Sequence, residues 1–192
     1  MAVPLQVDLP SDHYTVEDWL QLPETVGQRV ELIDGSFVVS PTPLSTHQLC
    51  AKRLVRILDD AAPPDLEVLE AFGVRTATEV PVPDVVVGDA NVIVGGATVL
   101  LPEQTHLVAE IVSPHNHRRD YLDKPRIYAG AGIPTFLRVE LTGTAPPSVE
   151  VLHLRDGAYT LIAKANAGQT LELAEPFAVS FDPGILLGHR SK

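Results

Sequence analysis

Hydrophobic and polar positions along the chain change period several times, and the changes mark out its elements. "TVEDWLQL" (15–22) opens on Thr15 with Asp18 three residues later, the spacing of a capping box at the head of a short helix. "RVELIDGSFVVS" (29–40) is two β-rich runs about Asp34-Gly35, a dipeptide suited to the tight turn of a hairpin. Cys50, Leu54 and Leu58 recur every four positions, predicting a helix from a Ser45 or Thr46 cap to about Leu58, closed by Pro63-Pro64. "LEVLEAFGVRT" (66–76) and "VPVPDVVVG" (80–88) read as strands. The second is apolar on both faces apart from Asp84, which predicts a central position, with Pro83 at its start where a missing donor is tolerated.

"DANVIVGGATVLLPEQ" (89–104) has no clear period and reads as an excursion before a third strand, "THLVAEIVS" (105–113). A basic loop then leads into "DYLDKPRIYAGAGIP" (120–134), a helix ending at its glycines, and "TFLRVEL" (135–141), a strand. "SVEVLHLRDGAYTLIAKA" (148–165) alternates about Asp156-Gly157 as a second hairpin, and "TLELAEPFAVSFDP" (170–183) closes with short strands. Helices interleaved with strands and hairpins predict an α/β fold with a mixed central sheet flanked by helices, and hairpins in the N- and C-terminal parts. The expected organisation is one domain over 1–192, with 1–12 a flexible N-terminal segment.

The 192 residues are 45% hydrophobic, enough for a sizeable core. Basic residues number 14 against 25 acidic, a net charge of −11, so the overall field repels nucleic acid and any such partner needs a local basic patch together with a metal. The lone Cys50 excludes an internal disulfide and a cysteine-built zinc site, and reads as a small core residue. No apolar run reaches the roughly 18 residues of a membrane span, and "MAVPLQVDLPSDHY" (1–14) is not patterned as a signal peptide, so the expectation is a cytoplasmic protein.

Against this background two carboxylates stand out. Asp84 and Glu110 each sit in an apolar strand setting, Glu110 with two apolar neighbours on either side. A buried carboxylate is costly unless paired. On adjacent strands the two could share one hard cation, Mg²⁺ or Mn²⁺, through oxygen ligands. An amine nearby would orient water and offset phosphate charge. Lys124 is the candidate, with Asp120 four residues before it on one helical face.

The order "RVELIDGSFVVSPTP", an "HQ" helix start, "PDVVV", "LVAEIVSP…RRD…K…YAGAGIP" and "DGAYTL", spanning about Thr15 to Pro183, resembles the Uma-type family of restriction endonucleases. That family lies within the PD-(D/E)XK nuclease superfamily. The resemblance implies a restriction-endonuclease-like core and metal-dependent hydrolysis of DNA phosphodiester bonds, with a homodimer suited to a duplex. It implies that Asp84 and Glu110 ligate metal with the Ile111 carbonyl as a third ligand, and that Glu31 binds metal or orients water. The superfamily usually carries a lysine two residues after the second carboxylate. Val112 stands there, and the family resemblance transfers that role to Lys124 in the following helix. Pro125 follows at once, which places the helix start near Leu122, since proline is tolerated only in a first turn.

Each of these residues has a plainer reading. Glu31 can be an exposed hairpin residue, Asp84 a turn residue, Glu110 a satisfied core carboxylate and Lys124 a solvated helix lysine. Asp120 suits a helix first turn, His115 and His117 a loop, Ser113 a cap or turn as readily as a hydrogen bond in the site, and His47, at a helix start from which it could reach the site, a surface position. Arg118, Arg119, Lys52, Arg53 and Arg56 can grip phosphates or simply solubilise the surface. Function therefore divides between a metal-dependent nuclease, a non-catalytic module that binds nucleic acid or another partner on the same fold, and a hydrolase of smaller phosphate esters. No glycine-rich phosphate loop supports a nucleotide-binding enzyme.

Overall fold

The computed structural model describes residues 13–23, 28–112, 119–141 and 146–188, with backbone only at 119 and 120. Ser113, His115, His117 and Arg118, the 1–12 segment, and the side chains of Arg119 and Asp120 lie outside the described residues. The ordered elements are α1 (Val16–Leu20), β1 (Arg29–Ile33), β2 (Ser36–Ser40), α2 (Ser45–Asp59), β3 (Leu66–Glu70), β4 (Val85–Asp89), α3 (Ala90–Val94), β5 (Thr105–Val112), α4 (Lys124–Gly130), β6 (Thr135–Glu140), β7 (Ser148–Arg155), β8 (Ala158–Asn166), β9 (Leu171–Leu173) and β10 (Val179–Phe181).

Six strands form one sheet in the order β3-β4-β5-β6-β7-β8. All neighbours are antiparallel except β5 and β6, whose parallel pairing requires a crossover, and α4 lies in that crossover. This is the expected mixed sheet. β4 and β5 are adjacent and central, and Val85, Val86 and Val87 have no exposed surface. The odd positions of β4 and β5 (Val85, Val87, Leu107, Ala109, Ile111) join Cys50, Leu54 and Leu58 of α2 in the larger core cluster. The closing segment covers the same cluster with Leu171, Leu173, Phe177, Phe181 and Leu186. The even positions Val86 and Val108 pack with Tyr128, Ile133 and Phe136 on the α4 side. Burial raises the Cys50 thiol to about 12, so it is an inert core residue as expected.

Thr15 makes the full reciprocal capping box with Asp18. Asp34-Gly35 and Asp156-Gly157 all take positive φ, the backbone that a two-residue hairpin turn demands. Several expectations need correcting. The cap of α2 is Leu44, with no side-chain hydrogen bond, and Ser45 is already the first helical residue. The strand expected over 66–76 stops at Glu70. β4 begins at Val85 and not at Val80, because Pro81 and Pro83 cannot donate to a ladder. The excursion over 89–104 contains the short α3. α4 starts at Lys124 with Pro125 inside its first turn, after a wide π turn over Arg119–Asp123. No helix among the described residues is long and apolar enough to cross a membrane.

Candidate functional site

The β4–β5 register pairs Val85 with Ala109, so the residues one step outward, Asp84 and Glu110, stand opposite each other on the same face of the sheet. That face is the one carrying Val86 and Val108, covered by α4. Lys124, in the first turn of α4, reaches down to it. Its Nζ donates to Glu110 Oε2 at 2.9 Å and lies 3.1 Å from Glu31 Oε1. Glu31, Asp84, Glu110 and Lys124 are each 3% exposed or less. The structure therefore gathers the four side chains singled out from sequence into one buried cluster at one end of the sheet.

Glu31 arrives from the first hairpin. Leu32 and Val80 exchange backbone hydrogen bonds in both directions, which fastens the hairpin to the segment leading into β4. Leu32 then packs with Val16 and Val80 on one side, and alternation turns Arg29 and Glu31 to the other. Glu31 Oε1 also accepts the Val82 N–H at 2.9 Å.

Asp84 is held from three directions. Its Oδ2 accepts the Ile111 N–H at 2.7 Å and lies 3.1 Å from His47 Nε2. Its Oδ1 lies 2.7 Å from Arg29 Nη1 as an ion pair, yet no hydrogen bond of good geometry reaches that oxygen. The N–H and C=O of one residue in a strand leave by the same edge, so the Ile111 carbonyl faces the Asp84 side as well. Glu110 Oε1 accepts from the Tyr128 hydroxyl at 2.5 Å.

Three of these residues lie outside the expected set. Arg29 carries a legible signal, being two positions before Glu31 on the same strand face. So does Tyr128, four positions after Lys124 on one helical face. His47, at a helix start, reads from sequence as a surface histidine that could reach the site; its side chain is 15% exposed and bound to Asp84, the second of those readings. The other cations on α2 face elsewhere. Arg53 donates to the carbonyls of Ile185 and Gly188 at 2.8 and 2.7 Å, Arg56 pairs with Asp60 in solvent, and Lys52 is exposed.

Electrostatics follow from the packing. Burial alone would raise the Asp84 carboxyl, but the His47 hydrogen bond and the charges of Arg29, His47 and Lys124 hold it well below the usual carboxylate range. Burial alone would lower the Lys124 amine, but Glu110, Glu31 and Asp84 hold it above its usual value. Lys124 is thus an ammonium that donates and cannot accept a proton. Burial and the neighbouring carboxylates push the Tyr128 hydroxyl well up, so it too is a donor.

These shifts fix the sign of a pH dependence. The depressed Asp84 contributes stability above its unfolded pKa of about 3.9, lost as pH falls below it. The raised Lys124 contributes stability below about 10.4, lost as pH rises further. In metal-free buffer the urea midpoint will therefore fall below about pH 4, and Asp84→Asn will flatten that acid limb relative to wild type. Equal acid limbs in both proteins would contradict the assignment.

Glu31, Asp84 and Glu110 face two permanent cations, Arg29 and Lys124, with the His47 ring beside Asp84. Among the described residues no three acidic, histidine or cysteine side chains form a ready-made ligating group. The donor set nevertheless fits a hard divalent cation: carboxylate oxygens on facing strand positions, with Asp84 Oδ1 buried and lacking a hydrogen bond.

A family model named Uma2, described as "Putative restriction endonuclease", matches residues 16–185. Among solved structures, a "putative nuclease belonging to DUF820" from Anabaena variabilis superposes with a TM-score of 0.71 at 18% identity, covering 90% of this chain and 97% of that one. At this identity the likeness is one of fold. No match was found among curated proteins.

Proposed function

Because the chain belongs to the Uma2 family, we propose that it is a divalent-metal-dependent endonuclease that hydrolyses DNA phosphodiester bonds. The observation that carries the reading is the convergence of Glu31, Asp84, Glu110 and Lys124 in one buried cluster. Asp84, Glu110 and the Ile111 carbonyl would hold Mg²⁺ or Mn²⁺, which when bound supplies Lewis-acid stabilisation of phosphate and a water of lowered pKa. Lys124, with Glu110 and Glu31 facing two of its N–H groups, directs the third to the attacking water, its ammonium offsetting charge that develops on the phosphate. Glu31 keeps Lys124 in place and accepts from that water. Arg29 and His47, on the more open side of the cluster, bind phosphate oxygens. A homodimer acting in the cytoplasm completes this reading, its two-fold axis giving one site to each strand.

A second reading is a non-catalytic module that binds nucleic acid or another partner on the same fold. It is favoured by Lys124 and Arg29 already offsetting most of the carboxylate charge. One experiment separates the two. The protein is incubated with supercoiled plasmid and single-stranded circular DNA in Mg²⁺, Mn²⁺ or EDTA. Nicking or linearisation in either metal, absent in EDTA, is the expected result. Metal bound calorimetrically with DNA left intact would turn the conclusion to the module. Cleavage of bis-p-nitrophenyl phosphate alone would turn it to a small-ester hydrolase.

A further inference from the structure

A cleft of about 610 Å³ opens beside the carboxylate cluster and shares Arg29, His47 and Val82 with it. The rest of its lining has a different chemistry. Trp19, Leu20, Pro43 and Phe72 make much of it apolar and aromatic, while Gln48, Glu70 and Thr98 add hydrogen-bonding groups. Such a volume is that of a small-molecule site, and a lining mainly apolar with a few polar groups is what such sites use. Trp19 is anchored, its indole N–H donating to the Val30 carbonyl at 2.9 Å, one residue from Arg29.

We infer that this cleft binds one unpaired nucleobase of the substrate strand, next to the phosphate held by Arg29 and His47. The inference rests on the nuclease reading and deepens it. Two observations and one property of DNA converge on this occupant. Cations that touch Asp84 and aromatic rings line the same cleft, the two kinds of group that take the phosphate and the base of a nucleotide. Bases stacked in a duplex are turned inward, so one enters a cleft only when unpaired or flipped out. The net charge of −11 denies the protein the affinity that basic proteins gain from releasing counterions, whereas base–aromatic stacking adds affinity whatever the overall charge. The substrate is then single-stranded DNA, or a duplex with a frayed or flipped nucleotide at the cut.

Trp19 is the chain's one tryptophan, so its emission reports on the cleft directly. The test titrates full-length protein, in Ca²⁺ at low ionic strength, with a fluorescently labelled five-residue deoxyadenosine oligonucleotide and an abasic oligonucleotide of equal length. Trp19 emission and the anisotropy of the label are read on parallel samples. The deoxyadenosine strand will change Trp19 emission saturably, and the abasic strand will not. Phe72→Ala will weaken half-saturation about tenfold, the scale of one lost stacking contact. An equal response to the abasic strand would overturn the inference, because phosphate alone would then suffice. Anisotropy showing the deoxyadenosine strand bound while Trp19 stays silent would overturn it and leave the nuclease reading standing. No binding of either strand by either readout would overturn the inference, while the nuclease reading stands or falls on plasmid cleavage in Mg²⁺ or Mn²⁺.

Discussion

Lys124→Met will destabilise the protein by about 3–5 kcal/mol at neutral pH, the scale of removing one partner from a buried ion pair. The substitution keeps an apolar stem of similar shape and deletes the ammonium with its N–H donors. Glu110 Oε2 then loses a donor at 2.9 Å and Glu31 Oε1 a cation at 3.1 Å, both carboxylates being 1% exposed. For a chain of this size the melting temperature will fall by about 10 °C or more. Thermal unfolding followed by circular dichroism measures it. The double variant Lys124→Met with Glu110→Gln will lose less than the sum of the two single losses, since each change removes the other's unpaired charge. Strict additivity would show that the two groups are not energetically coupled, and the buried pair would lose its place in the account. The same variants guard the functional reading: a Lys124 variant that is folded at the assay temperature yet inactive separates the chemistry from the scaffold.

Asp84→Asn will abolish Mn²⁺ binding by calorimetry and lower DNA cleavage by about 10²–10³-fold, the scale of losing a principal electrostatic stabiliser of a transition state. Asparagine retains a carbonyl oxygen for the Ile111 N–H and so keeps β4 tied to β5, whereas alanine would leave that buried donor orphaned at about 1–3 kcal/mol. Glu110→Gln will behave the same way in both assays. Wild-type metal affinity in both variants would remove Asp84 and Glu110 as shared ligands. Retained affinity in only one would move the ion toward the other carboxylate and Glu31.

How far the site could be read from sequence varies with the residue. Glu110 was legible because a charge amid Val108, Ala109, Ile111 and Val112 has no solvated alternative in a strand buried on both faces. Asp84 was legible for the same reason, although it lies just before β4 and not in it. Arg29 and Tyr128 could have been found by carrying the strand and helix periods one step from Glu31 and Lys124. His47, at a helix start, could reach the site, but the choice between that and the surface depends on where the head of α2 lands, its partner lying 37 residues away. Lys124 followed from the family resemblance together with its helical setting. Pro125, which crowds it in sequence, falls in the one turn of α4 that needs no donor from it.

By itself the sequence determined what local physics controls. The period of apolar residues set which segments became helices and strands, Asp-Gly pairs with positive φ set both hairpins, and Thr15 with Asp18 set the head of α1. It also determined that two carboxylates would have to be buried and would need company. Only the tertiary structure decided what that company is. The register that sets Asp84 opposite Glu110, the Leu32–Val80 bridge that turns Arg29 and Glu31 inward, and the crossover that drops Lys124 and Tyr128 onto Glu110 all join residues far apart in the chain. A buried charge states how much it needs a partner, but which partner arrives is fixed by packing and chain topology, to which no local period extends.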